Sequence, residues 1–151
     1  MTHPPQPRVR VAAIVEREGE LLLVKHEKDG QTYWLLPGGG VDFGESVAGA
    51  LVREVQEETG AVIEVGDLVL VNDSIPPDAH RHQINLYFTA KCLTNITPQP
   101  PTADGRVIGA AFTPIGQLDE LDLRPDIRAA LRALLRGDEP SARYLGNIWK
   151  P

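Results

Sequence analysis

The chain has 151 residues, of which 42% are hydrophobic and 24% charged, a composition typical of a globular domain with its own core. Its formal net charge of -6 argues against general nucleic-acid binding, which depends on neutralising backbone phosphates. No apolar run reaches the ~18 residues of a transmembrane helix, the N-terminal residues lack the apolar segment of a secretory signal, and the single cysteine, Cys92, excludes an internal disulfide. We therefore expect a cytoplasmic protein with no membrane partner.

The N-terminal part predicts a short tail followed by three strands. Residues 1–7 contain three prolines and are expected to form a flexible tail, with a single domain over 8–151. Alternating apolar residues predict strands at 8–16 and 21–26. A short third strand at 33–36 is expected to end at the glycines of the segment PGGG.

Residues 46–59 predict an amphipathic helix, with Ser46 as its N-cap and Gly60 as a left-handed terminator. One side of this helix is apolar and consists of Val47, Ala48, Leu51, Val52 and Val55. The other side brings together three carboxylates, Glu54, Glu57 and Glu58. Like charges at these spacings are unfavourable by roughly a few tenths of a kcal/mol per pair, and the last turn of a helix disfavours anions.

A bound divalent cation would explain why these acids stand together. Such a cation binds carboxylate oxygens together with substrate phosphates, and would turn the repulsion into coordination. The alternative is a solvated acidic face on which Arg53 pairs with Glu57.

The segment PGGGVDFGE, residues 37–45, leads directly into this helix. Glycines let the backbone approach a ligand or a metal with no side chain in between. Gly38, Gly39 and Gly40 are therefore candidates for contact with a substrate, and together with Glu45 and the helix acids they outline one compact site. The alternative is that these glycines only form a turn and contact no substrate.

The rest of the chain predicts three more strands and a second helix. Strands are expected within 61–72, at 83–93 and near 108–113. An amphipathic helix follows, with Pro125 near its first turn and Gly137 after its end. This order of elements predicts a mixed α/β architecture with helices on both sides of a sheet.

The segment GGVDFGESVAGALVREVQEETGA, residues 39–61, resembles the signature of the Nudix hydrolases, G-x5-E-x7-R-E-U-x-E-E-x-G-U, in which U is a bulky aliphatic residue. The matching positions are Gly39, Glu45, Arg53, Glu54, Val55, Glu57, Glu58 and Gly60. Ala61 departs from the final aliphatic position and predicts slightly looser packing there. The resemblance implies an α/β/α sandwich with a mixed β-sheet and hydrolysis of a diphosphate linkage in a nucleoside diphosphate joined to another moiety.

The resemblance also implies roles for individual residues. Mg²⁺ or Mn²⁺ would be held by Glu54, Glu57 and Glu58. Glu45 would be either an auxiliary ligand or a support that holds the ligands in place, and the carbonyl of Gly39 is a further candidate ligand. Arg53 would pair with a nearby carboxylate and fix its geometry. The general base stays open between Glu54, Glu57 and Asp104. Asp104 is the acid nearest to Arg106, which stands where many members carry a loop glutamate if Phe112 is the aromatic residue of the last strand.

The substrate is less well specified. Pro77 stands at a position beyond the motif where the ADP-ribose pyrophosphatase subgroup has a proline, so the resemblance favours ADP-ribose or a nucleoside diphosphate sugar. MutT-like hydrolysis of nucleoside triphosphates and hydrolysis of diadenosine polyphosphates are the alternatives. His80, Arg81 and His82 are candidate contacts to phosphate or base, or a solvated loop end. Trp34 either packs in the core or stacks on a base.

Two readings without catalysis remain. One is a Nudix-fold module that binds a nucleotide without turnover, and the other is an ordinary α/β protein whose acidic helix is only surface. A homodimer is left open, because many members of the family form one. A small-molecule nucleotide is the expected partner in every reading that uses the signature.

Overall fold

Residues 4–103 and 105–149 are described by a computed structural model, and they form nine strands, two α-helices and one 3₁₀ helix. In chain order these are β1 (Arg8–Ile14), β2 (Glu16–Arg17), β3 (Glu20–Lys28), β4 (Gln31–Leu35), β5 (Gly38–Gly40), α1 (Val47–Thr59), β6 (Ile63–Ser74), β7 (Gln83–Cys92), β8 (Val107–Pro114), the 3₁₀ helix (Ile115–Glu120), α2 (Arg128–Leu135) and β9 (Tyr144–Asn147). No helix in these residues is both long and apolar enough to span a membrane.

The strands form one mixed sheet and one antiparallel sheet. The mixed sheet has the order β5-β1-β7-β6-β9, in which β1 runs parallel to β7 and β9 runs parallel to β6. In the second sheet, β3 pairs antiparallel with β2, β4 and β8. This is the mixed α/β architecture that the sequence predicts.

Two apolar cores lie on opposite faces of the sheets. Successive side chains of a strand point to opposite faces, and Leu21 and Leu23 accordingly pack in one core while Leu22 packs in the other. The first core receives α2 through Leu131, and the second receives α1 through Leu51. Both of these leucines are fully buried, and each contributes about 1.5–3 kcal/mol relative to an exposed position. The sheets therefore lie between two helices, as the α/β/α sandwich requires.

Helix α1 has both of the predicted caps. The hydroxyl of Ser46 accepts a hydrogen bond from the Gly49 N–H at 3.0 Å, and Gly60 ends the helix in the left-handed conformation at φ 76°. Ala61, the departure from the signature, is fully buried. The caps set the helix axis and its first and last turns, and thereby the direction in which the glutamates point.

The glycines at 38–40, at which the third strand was expected to end, form a strand of their own. They form strand β5, which pairs antiparallel with β1 from Ala12↔Gly38 to Arg10↔Gly40. An added Cβ at Gly38 would lie only 1.9 Å from the Val11 carbonyl oxygen, so only glycine allows the strands to approach this closely.

Two further elements differ from the sequence prediction. Helix α2 begins at Arg128, later than the predicted start near Pro125. The C-terminal segment, for which no strand was predicted, adds strand β9 to the edge of β6. At the other end, residues 4–7 are exposed and outside any helix or strand, while residues 1–3 of the predicted tail lie outside the described residues.

Candidate functional site

Strand β5 lies against the last turns of α1, and its glycines let the carboxylates of the helix come close. The Gly38 N–H donates a 2.7 Å hydrogen bond to Oε1 of Glu58. An added Cβ at Gly39 would lie 2.4 Å from the carboxyl carbon of Glu54. Glycine at both positions is therefore a structural requirement of this carboxylate arrangement, and not only of a turn.

The guanidinium of Arg53 gathers the acids around one point. Its Nε and Nη2 donate to the two carboxylate oxygens of Glu45 at 2.8 and 2.9 Å. Its Nη1 donates to Glu54 at 2.9 Å and to Glu57 at 3.3 Å. Nη2 also reaches the Gly40 carbonyl at 3.2 Å, which ties the helix to β5. One planar cation with several donors thus offsets part of the repulsion among the glutamates.

The glutamates lie in unequal electrostatic environments. The hydrogen bond from Arg53 lowers the pKa of Glu45 to about 2, so Glu45 is a permanent anion near neutral pH. Burial raises the pKa of Glu58 to about 8, against the opposing effect of the Gly38 N–H. Burial also raises the pKa of Glu54, against its hydrogen bond from Arg53. Burial thus favours the protonated forms of Glu54 and Glu58, and a bound cation would favour their ionised forms.

The donor set fits a hard divalent cation. Glu54, Glu57 and Glu58 offer carboxylate oxygens on the wall of the same cavity as Gly39, and Mg²⁺ and Mn²⁺ favour oxygen ligands. In Glu54, Glu57 and Glu58 the hydrogen bonds described above engage Oε1, and among the described residues none engages Oε2 of these three side chains. Within the same residues, no three acidic, histidine or cysteine side chains already converge as a preformed metal cluster. Binding a cation would thus draw the free carboxylate oxygens together.

The cavity in front of these carboxylates has a volume of about 680 Å³. Its wall combines the helix acids and the glycines of β5 with basic and aromatic side chains, among them Arg10, Lys28, Tyr33, His80, Arg81, Arg106, Arg124 and Trp149. The helix acids make one part of the wall negative, and basic side chains make other parts positive. Such a cavity suits an anionic ligand that binds together with a divalent cation.

The structure brings together only part of the predicted substrate contacts. His80 and Arg81 line the cavity, and the His80 ring lies 2.5 Å from Asp78. His82 instead directs Nε2 to Asp73 at 2.7 Å and is absent from the cavity wall that the described residues form. Asp104, the candidate loop base, lies outside the described residues.

Four other sequence candidates lie away from this wall, as far as the structure describes it. Trp34 packs against the first core, with Lys25 Nζ 5.9 Å from its ring centroid. Pro77 is exposed, and Glu45 and Arg53 stand behind the acids that face the cavity. Glu45 and Arg53 are therefore placed to position other side chains.

Arg10 and Trp149 are two of the cavity residues that sequence reasoning missed. Arg10 lies on the face of β1 opposite to Val9 and Val11, and a basic residue at this position was visible in the sequence. Among the described residues, none forms a hydrogen bond or an ion pair with the Arg10 guanidinium, whose charge acts on Glu54 and Glu58. Trp149 carries no signal of this kind, because only the pairing of β9 with β6 brings it to the cavity.

Among the curated proteins that resemble this chain, two have similar descriptions. The chain is 39% identical over 83 residues to an ADP-ribose pyrophosphatase of Methanocaldococcus jannaschii, a match that covers 54% of this chain and 49% of the relative. It is 38% identical over 78 residues to a putative ADP-ribose pyrophosphatase, YjhB, of Bacillus subtilis, which covers 52% of this chain and 34% of the relative. The matched segment thus spans half or less of these relatives.

Comparison with solved structures and with family models extends the similarity to most of the chain. The crystal structure of a MutT NUDIX hydrolase from Burkholderia pseudomallei superposes with a TM-score of 0.66 at 29% identity, covering 87% of this chain and 97% of that chain. The model of the NUDIX domain matches residues 4–134, which include the glycines of β5 and every acid of the site. The resemblance seen in the sequence is therefore confirmed, and the chain belongs to the Nudix family.

Proposed function

We propose that the protein is a divalent-metal-dependent hydrolase of the diphosphate linkage in a nucleoside diphosphate joined to a second moiety, and that it releases a nucleoside monophosphate. The observation that carries this proposal is the shared cavity, in which Glu54, Glu57 and Glu58 face basic side chains across a space of about 680 Å³. Pockets of about 300–1,000 Å³ take ligands of this size class.

Mg²⁺ or Mn²⁺ would be held by Glu54, Glu57 and Glu58, with the Gly39 carbonyl as a further oxygen donor. When bound, such a cation neutralises diphosphate charge and makes an attacking water easier to deprotonate. Arg53 keeps the carboxylates in place through its hydrogen bonds to Glu45, Glu54 and Glu57.

The remaining steps belong to the residues of the chain. Arg10, on the cavity wall, neutralises and orients the phosphate oxygens that face away from the acids. The carboxylate that accepts the proton of water is that of Glu54, Glu57 or Asp104. Of the two helix candidates, Glu57 is the more accessible, with 54% of its side chain exposed against 18% for Glu54.

ADP-ribose or a nucleoside diphosphate sugar is the first candidate substrate. Two relatives that match about half of this chain are described as an ADP-ribose pyrophosphatase and a putative one. Nucleoside triphosphates and diadenosine polyphosphates are the alternative substrates, and a nucleotide-binding module without turnover is the alternative of another class.

A substrate panel tests the proposal directly. The protein is incubated with ADP-ribose, a nucleoside diphosphate sugar, nucleoside triphosphates and diadenosine polyphosphates, each with Mg²⁺, with Mn²⁺ or with excess chelator. Metal-dependent release of nucleoside monophosphate from the diphosphate-linked compounds is the expected result. Tight nucleotide binding without product would favour the binding module. If the protein neither binds a nucleotide nor releases a product, both the hydrolase and the binding module are overturned.

The compartment and the assembly state belong to the same proposal. A reducing cytoplasm suits Cys92, which is free and half-buried against the second core. A homodimer stays a prediction from the family resemblance, and light scattering of the purified protein at several concentrations measures it.

A further inference from the structure

The C-terminal strand β9 fixes the position of Trp149. It pairs parallel with β6, with Val71 opposite Tyr144 and Asp73 opposite Asn147. The side chain of Asn147 accepts from the Ile75 N–H at 2.9 Å and donates to the Ile75 carbonyl at 3.3 Å. These bonds hold the chain in register up to the residues next to Trp149.

The two residues that follow β9 have different surroundings. The Ile148 N–H donates to the Asp73 carbonyl at 2.8 Å, and the Ile148 side chain packs against the first core. Trp149 belongs to neither apolar core in the described part of the chain, although it is half-buried and lines the cavity. Packing of the hydrophobic core therefore does not account for this indole.

The carboxylate of Asp73 holds the two segments that meet at the indole. One of its oxygens accepts from the Tyr144 hydroxyl at 2.5 Å, and the other lies 2.7 Å from Nε2 of His82. Tyr144 begins β9, and His82 directly follows Arg81 in the chain. Asp73 thus couples the strand that carries Trp149 to the segment that carries Arg81.

Arg81 and Trp149 form a stacked pair on the cavity wall. The guanidinium carbon of Arg81 lies 4.8 Å from the centroid of the Trp149 ring, a cation–π distance. Tyr33, the other tyrosine or tryptophan on the described part of the wall, is buried, with the Arg124 guanidinium 4.3 Å from its ring centroid and the ring of His26 at 5.3 Å. Trp149 is therefore the more open aromatic surface of the two.

We propose that Trp149, supported by Arg81, is the platform on which the nucleobase of the ligand stacks. Nucleobases stack on aromatic rings and on guanidinium planes, and every base offers a flat face for such contact. The acids and Arg10 would then hold the phosphates of the same ligand. The proposal rests on the proposed function for the reaction, but base binding itself requires only a nucleotide.

A fluorescence titration tests the platform without any turnover. The sequence contains two tryptophans, Trp34 and Trp149, so the variant Trp34→Phe leaves the indole of Trp149 as the reporter. The ligands are AMP and ribose 5-phosphate, which share the sugar and the phosphate and differ in the base. AMP is expected to quench the emission and ribose 5-phosphate to leave it unchanged. Equal responses to the two ligands, or none to AMP, would overturn the proposal.

Kinetics with the best compound of the substrate panel give the second measurement. Trp149→Ala is expected to raise KM about tenfold, as stacking losses convert to affinity, with a much smaller fall in kcat. Trp149→Phe keeps an aromatic face and is expected to recover most of the loss, while Trp34→Phe should keep the KM of the parent protein. An unchanged KM in Trp149→Ala would contradict the platform.

The two proposals fail in different ways. If AMP quenches Trp149 but no compound is hydrolysed, the platform stands and the hydrolase does not. If hydrolysis is metal-dependent but Trp149→Ala keeps the parental KM, the hydrolase stands and the platform does not. Thermal melts of each variant identify any loss of folding, and the titration in Trp34→Phe decides the question even if Trp149→Ala does not fold.

Discussion

The backbone N–H of Gly38 donates a 2.7 Å hydrogen bond to Oε1 of Glu58. This bond joins β5, the shortest strand of the mixed sheet, to the acidic end of α1. Glu58 is only 7% exposed, so a carboxylate that sequence periodicity assigns to the polar side of the helix is turned inward. A strand and a helix thereby share one carboxyl group. Through this contact, the position of the glycines in β5 and the environment of the Glu58 carboxyl group in α1 depend on each other.

Gly39→Ala is expected to lower kcat on the order of 10²-fold, because a methyl group there would displace the Glu54 carboxyl from 2.4 Å away, and displacements of about 1 Å have this cost. Gly116→Ala is the matched control, since an added Cβ at Gly116 meets nothing within 4 Å. Steady-state kinetics and thermal melts of both variants measure the effect. Full activity in Gly39→Ala would show that the close approach of strand and carboxylate has no role.

Glu57→Gln keeps the shape of the side chain and removes its charge. We expect kcat to fall on the order of 10²-fold or more, because electrostatic stabilisation of the reacting phosphates is lost. The fold should remain intact, since about half of this side chain is exposed. Glu64→Gln, at an exposed position of β6, is the control for loss of one negative charge. A variant as active as the parent would remove Glu57 from the site.

Arg53→Lys preserves the positive charge but loses the planar fork that grips Glu45 through two hydrogen bonds. We expect kcat to fall on the order of tenfold or more, since Glu54 and Glu57 lose a shared anchor. Arg136→Lys, an exposed residue paired with Asp138, controls for the substitution itself. The same kcat in both variants would show that charge alone suffices at position 53.

Arg10→Ala is expected to raise KM about tenfold, because a charged hydrogen bond to a phosphate oxygen contributes about 1.5–3 kcal/mol. Its effect on kcat should be smaller if Arg10 binds the substrate as strongly before the reaction as during it. Arg136→Ala removes an exposed arginine that is absent from the described cavity wall, and it serves as the control. Loss of kcat at constant KM would instead assign Arg10 to the reacting phosphate.

The stability of the metal-free protein should fall as pH rises from about 4.5 to about 8. The pKa of Glu58 is raised by burial from 4.5 to about 8, so between these values the folded state binds more protons than the unfolded state. A cation requires the ionised carboxylate and should therefore stabilise the protein more as pH rises.

Thermal melts with chelator and with Mg²⁺ across this pH window measure the difference in melting temperature. In the parent protein the increase caused by Mg²⁺ should grow with pH, whereas in Glu58→Gln it should depend on pH much less. A metal-induced increase that is the same across the window would contradict the role of Glu58.

The local structure around α1 was open to prediction because its determinants lie close together in the chain. Ser46 and Gly60 cap the helix as expected, and the spacing of Glu54, Glu57 and Glu58 follows from helical geometry alone. Such contacts depend on one helical turn and on no distant partner. The family resemblance rests on the same short segment and is confirmed over residues 4–134.

The remaining features depend on pairing between distant segments. The glycines form a strand because β1 accepts them at Val11↔Gly39, and the indole of Trp149 reaches the cavity because β9 adds to β6 at Asp73↔Asn147. Hydrogen bonds between strands are set by register, which the sequence of one strand alone does not determine. The sequence by itself thus determined the acidic helix and its caps. Only the tertiary structure decided which basic and aromatic side chains face that helix across the cavity, because β-pairing brings them there from both ends of the chain.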